Sequence, residues 1–119
     1  MKLLKALAVT VFLVSLCTGL VVAEDYQLSR DPRLSKAKTS FEKGLEYLKR
    51  GDRAFSVRAG RAQKMYEHAE DYILKAEFLY KELGQEHGID VTSEVATCRE
   101  LYREIHVKVN KARRKTRMR

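Results

Sequence analysis

The sequence predicts a small all-α protein, an antiparallel three-helix bundle behind an N-terminal export segment. Three observations carry this. Apolar residues recur at steps of three, four and seven through nearly all of residues 31–112, the period of a helix that buries one face. Helix start and stop signals divide that run into three pieces. No stretch alternates apolar and polar residues as a half-buried strand would.

Residues 1–23 come first. Lys2 and Lys5 give a positive start, an apolar run extends from Ala6 to Ala23, and Glu24-Asp25 follow at once. That is the layout of a secretory signal peptide, cut after Ala23 beside small residues. An uncleaved anchor is the alternative, since the run is just long enough to span a bilayer. Lys2 and Lys5 would then hold its start in the cytoplasm, so either reading exports residues 24–119. The run Val14-Ser15-Leu16-Cys17 resembles a bacterial lipoprotein site, but Leu16 stands where a small residue is required. The expected location is periplasmic or extracellular, with membrane attachment only if the segment stays uncut.

The first predicted helix starts where Asp31 can cap free N–H groups and Pro32 fits the first position. Leu34, Phe41 and Leu48 recur every seven residues beside Ala37, Gly44 and Leu45. Gly51 reads as its stop and Asp52 as the cap of the next helix. The second helix carries three adjacent heptad rows: Ala62, Ala69, Ala76 and Leu83; Met65, Tyr72 and Leu79; Tyr66, Ile73 and Tyr80. Over residues 62–83 this amounts to roughly 33 Å of helix. The alanine row lets a neighbour approach closely. Residues 53–61 stay unassigned, because Ala54, Phe55, Val57 and Ala59 favour helix while Gly60 weakens it. Gly84 and Gly88 bracket the next turn and Asp90 is a cap. The third helix reads Val91, Val95, Cys98, Tyr102, Ile105, Val109 and Ala112, a heptad seam that could meet the bundle or another chain.

Beyond residue 23 the chain has 96 residues, one proline, no tryptophan and one cysteine, Cys98. An internal disulfide is therefore excluded, and stability must come from helix packing, a partner or oligomerisation. Charge is unevenly placed. Residues 24–107 hold 15 Lys/Arg and 16 Asp/Glu, whereas residues 108–119 hold seven basic residues and no acid. The chain thus reads as a signal segment 1–23, a helical domain 24–107 and a basic C-terminal tail 108–119. Lys108, Lys111, Arg113, Arg114, Lys115, Arg117 and Arg119 are the candidate binding residues, for an anionic surface or a partner. Export and the lack of interleaved aromatics argue against nucleic acid. The plainer reading is a solubilising helix end whose charge complements the helix dipole.

Catalytic, metal and cofactor sites are not expected. His68, His87 and His106 lack ligand spacing, and no Cys-x-x-Cys, phosphate loop, Gly-x-Ser-x-Gly or His-Glu-x-x-His occurs. His68 lies among Glu67, Glu70 and Asp71, which reads as a solvated charged face more readily than as a surface metal site. Cys98 on the apolar seam reads as core, with a thiol contact between chains as the alternative. Arg50-Gly51-Asp52 reads as a helix stop and cap, not an adhesion tripeptide.

Residues 36–83 contain Gly44 and Tyr47 as a Gly-x-x-Tyr in one helix, then Ala62, Tyr66 and Ala69 as a small–aromatic–small pattern in the next. This pairing, with the Arg50-Gly51-Asp52 turn, resembles a tetratricopeptide helical hairpin. Ser40 and Lys43 replace large apolar residues of that family. Leu74 stands where its closing proline would be, and the two half-motifs lie about six residues further apart than in the family repeat. The resemblance implies a protein-binding scaffold, not an enzyme. The expected function is a non-catalytic interaction or assembly module acting on an unidentified protein or on itself, with electrostatic binding of an anionic polymer or membrane surface as the alternative.

Overall fold

The structure, a computed structural model, describes residues 25–118, so residues 1–24, with the predicted signal segment, and Arg119 lie outside it. The described chain forms four helices and no strand: α1 (Asp25–Arg30), α2 (Pro32–Phe55), α3 (Ala59–His87) and α4 (Thr92–Arg117). The three long helices are the expected all-α bundle, and α1 is a short preface. It tucks Leu28 into the core and closes where the Asp31 N–H donates to the Leu28 carbonyl at 3.1 Å.

The start of α2 follows its sequence. Asp31 Oδ1 accepts from the Arg33 N–H at 3.0 Å, and Pro32 occupies the first turn, where a missing N–H leaves no bond unmade. Its end does not. Gly51 was expected to stop the helix and Asp52 to cap the next, yet α2 runs through both to Phe55. Gly51 is buried against the Tyr66 ring, where a Cβ would lie 2.5 Å from Cε1. The glycine is there because two helices touch, not because the backbone turns. Ser56-Val57-Arg58 make the turn instead, with the Val57 and Arg58 N–H groups both donating to the Ala54 carbonyl. Gly84 is corrected in the same way. It sits inside α3, with a Cβ position 2.6 Å from Val91 Cγ2, whereas Gly88 alone takes the left-handed conformation, φ 64°, that ends α3. The cap position of α4 falls on Val91 and not on the expected Asp90, which from one residue earlier still accepts the Thr92 N–H at 3.0 Å.

Helix α3 is the centre. Helices α2 and α4 lie antiparallel along it, parallel to one another, and meet each other little. The α3 residues that serve both neighbours are small or branched. Ala62, Ala69, Ala76, Ile73 and Leu83 are wholly buried, and Gly44 brings α2 to within a missing Cβ of Ile73. From α4 come Cys98, Ile105, Val109 and Ala112, all buried on the predicted seam. Each fully buried Ile, Leu or Val contributes on the order of 1.5–3 kcal/mol, so the α3 interface dominates the fold.

Candidate functional site

The basic segment is not a tail. Residues 108–117 are the last turns of α4, so the boundary after residue 107 is a change of charge and not of backbone. Ala112 is wholly buried within it. Two of the seven candidate residues fasten this end of the helix. Lys108 Nζ donates to Asp52 Oδ1 and Oδ2 at 2.9 and 3.1 Å. Lys115 Nζ donates to the Phe55 carbonyl at 3.1 Å and lies 4.6 Å from the centre of the Phe55 ring. The Phe55 carbonyl closes α2, where the backbone leaves acceptors unpaired and the dipole favours a cation. Asp52 also accepts the Tyr66 hydroxyl at 2.7 Å, so one carboxylate joins α2, α3 and α4. Burial, then the hydrogen bond to Asp52, pushes the Tyr66 phenol well above its ordinary pKa.

The remaining described candidates, Lys111, Arg113, Arg114 and Arg117, are exposed. Arg113 and Arg117 extend a row that tail-based reading misses: Arg99, Arg103, His106, Asn110, Arg113 and Arg117 follow steps of four and three, hence one side of α4. Arg99 Nε donates to Glu77 at 2.8 Å, and His106 Nδ1 lies 2.8 Å from Glu70. These two pairs, seven residues apart on each helix, seal the α3–α4 seam. Arg103 is exposed and enters no ion pair with the described residues. Lys111 lies round the helix, on the edge of Glu100 and Glu104 nearer α2.

Beside the row is a cleft of about 170 Å³ between α3 and α4, lined by Ile73, Leu74, Glu77, Cys98, Arg99, Tyr102 and Arg103. Its apolar floor arises because Ile73 and Cys98 face each other across the seam. Leu74 is 43% exposed, and Phe78, one turn on, is 60% exposed. Neither fits the rule that large apolar residues on a helix turn inward. Cys98 is buried as expected, and burial, with the nearby Glu77 and Glu94 charges, pushes its thiol up to about 12. A thiolate nucleophile is disfavoured there.

The other candidates have structural employment. The His68 ring lies tilted by 41° against Tyr47, whose own ring stacks on Tyr72 at 5.5 Å, while Glu70, two positions on, turns to His106. Among the described residues no group of three or more His, Cys, Asp or Glu side chains could hold a metal ion. Arg50 binds Glu46 on its own helix at 2.6 Å. Sequence reading missed the cluster at the other end of the bundle, where His87 Nε2 lies 3.0 Å from Asp31 and Arg33 contacts Asp31, Glu82 and Glu86. Asp31 and Arg33 are close in sequence, but their partners Glu86 and His87 stand 53 and 56 positions away, and no local signal connects them. The Arg33 hydrogen bond, then that of His87, holds the Asp31 carboxyl far below the usual range. No helix among the described residues is long and apolar enough to cross a membrane. No protein-family model, curated protein or solved structure matches the chain.

Proposed function

We propose that the chain is an exported, non-catalytic helical module that binds another protein, with the outer side of the α3–α4 pair as its contact surface. Export rests on the layout of residues 1–23. The observation that supports binding is the coincidence of exposed Leu74 and Phe78 with an apolar-floored cleft and an arginine row along one side of α4. Apolar anchors edged by charge are what interfaces use. A tetratricopeptide-like scaffold role agrees with Gly44 packed on Ile73 and with Ala62, Tyr66 and Ala69 buried in the α2–α3 seam. A non-catalytic role agrees with the buried, unreactive Cys98.

The test is a photo-reactive residue at position 103, introduced into the full chain in its native cell, with Lys49 on the exposed side of α2 as the control position. Discrete protein adducts at 103 that form equally in moderate salt support the module. No adduct, or lipid or nucleic-acid adducts alone, overturns it. A second reading, electrostatic binding of an anionic surface, is favoured by the exposed Lys111, Arg113, Arg114 and Arg117. It predicts steep loss of binding with salt. Truncation before residue 110 cannot separate the two, since it removes buried Ala112 and the Lys115 contact. Arg113→Glu with Arg117→Glu can.

A further inference from the structure

We propose that the α3–α4 cleft and the arginine row beside it form a groove for one kind of occupant, an amphipathic helix with an acidic edge, supplied by a partner protein. The inference rests on the module reading and specifies its ligand.

The apolar half of the groove sets the first requirement. Ile73 and Cys98 form a floor, Leu74 and Tyr102 stand beside it, and Phe78 follows one turn along α3. The cleft has room for one large aliphatic or aromatic side chain, and Phe78 offers a second contact about one turn away. An occupant meets both with apolar residues at positions three or four apart, the spacing of a helix laid in a groove. Among the described residues there is no strand whose edge could be extended by a partner.

The charged half sets the second requirement. Arg99 is already held by Glu77, but Arg103, Arg113 and Arg117 are exposed on the same side without an acid partner among the described residues. From Arg103 to Arg117 the row rises roughly 21 Å, the length of about four helical turns. A carboxylate edge of that length would meet all three. The α3 wall opposes a uniform polyanion alongside the arginine row: Glu67 and Asp71 stand on the same side of α3 as Leu74 and Phe78, and Lys81, further along that side, is paired with Glu77 at 4.0 Å. A nucleic acid or polyphosphate seated in the groove would face those acids at close range, whereas a helix acidic along its α4-facing edge alone would not. Charge on both walls therefore fixes which way the occupant is rotated as well as its sign.

The experiment is selection from a displayed library of randomised helical peptides against the intact, export-processed protein, followed by fluorescence anisotropy of the winners on the parent, Phe78→Ser and Arg103→Glu. Both positions are exposed, and circular dichroism and a urea midpoint establish that the variants fold. Expected are winners with apolar residues three or four apart and an acidic edge, each losing about tenfold in affinity on either variant, as a central anchor does. Arg103→Lys should retain most of the binding. Winners without acids, or acidic winners indifferent to both variants, overturn the proposal. So does a protein that instead dimerises through Phe78 or Arg103, or one that binds heparin or phosphatidylglycerol vesicles through Arg103 and selects no peptide. If position 103 cross-links a native partner that Phe78→Ser and Arg103→Glu still bind, the groove fails and the module stands. If neither peptide nor cross-link is found, both fail.

Discussion

Gly51 has no side chain, and the Tyr66 ring occupies the space one would take. An added Cβ would stand 2.5–2.6 Å from two ring carbons, and the ring cannot retreat without losing its hydroxyl bond to Asp52. Gly51→Ala should lower the urea midpoint, costing about 1–3 kcal/mol as overpacking does, despite alanine's better helix propensity. Gly60 is the control: nothing lies within 4 Å of its Cβ position, so Gly60→Ala should stabilise by about 0.4–1 kcal/mol. Glu94 is a second informative side chain. It is buried at the start of α4, and its Oε2 has no hydrogen-bond partner. Burial, with a smaller push from Asp90, raises its pKa. A carboxyl whose pKa is higher folded than unfolded destabilises the fold above the folded value, and that cost vanishes below the unfolded value. Glu94→Gln should therefore raise stability at neutral pH by roughly 1 kcal/mol and make no difference near pH 3.5, read from urea midpoints across that range. Asp31 has the opposite sign. Its depressed carboxyl contributes fully above the ordinary carboxylate range, and the contribution drains away as pH falls below it, so Asp31→Asn should hurt at pH 7 and matter less in acid.

The helices were legible because each buries a stripe against a neighbour, and a stripe leaves a period in the sequence. The α4 seam from Cys98 to Ala112 and the alanine row of α3 are where the periods put them. The ends were less legible. Gly51, Gly84 and Gly88 are the same letter, and only the neighbouring Tyr66, the neighbouring Val91 and the turn at His87 distinguish a close contact from a stop. Tyr66 lies on another helix and Val91 beyond the turn, and a glycine's own letter records neither contact, so sequence could not tell the cases apart. The basic segment illustrates the same limit. Its charge was plain, but that Lys108 and Lys115 bind Asp52 and the end of α2 across 56 and 60 positions was not. Nor was the partition of the rest into an arginine row and its flanks. Lys115→Ala removes a charge-assisted bond to a helix-closing carbonyl, worth about 1–2 kcal/mol. It should loosen the last three turns of α4 selectively, seen as faster amide exchange there with α2 little changed.

Because α2 and α4 meet mainly through α3, the bundle is held by one shared helix, and its opening should be cooperative. Cys98 reports on this. The buried thiol, raised to about 12, should react with a thiol reagent only through opening of the α3–α4 seam, at rates that rise with urea as global unfolding does. Rapid labelling in the native state, or a reductant-sensitive dimer by native mass spectrometry, would contradict the packing and return Cys98 to a contact between chains. Occupancy of the neighbouring groove by a bound helix should slow that labelling further, by mass action on the closed state.

The proposed groove depends on α4 being one rigid helix to its basic end, pinned at Lys108 and Lys115, so that its arginines form a fixed row. Amide hydrogen exchange across residues 104–117 of the intact protein measures this most directly. Slow exchange through Val109, Ala112 and Lys115, comparable with the core of α3, is the predicted result. Exchange at free-chain rates from residue 108 onward would contradict it, dissolving the row into a flexible basic tail.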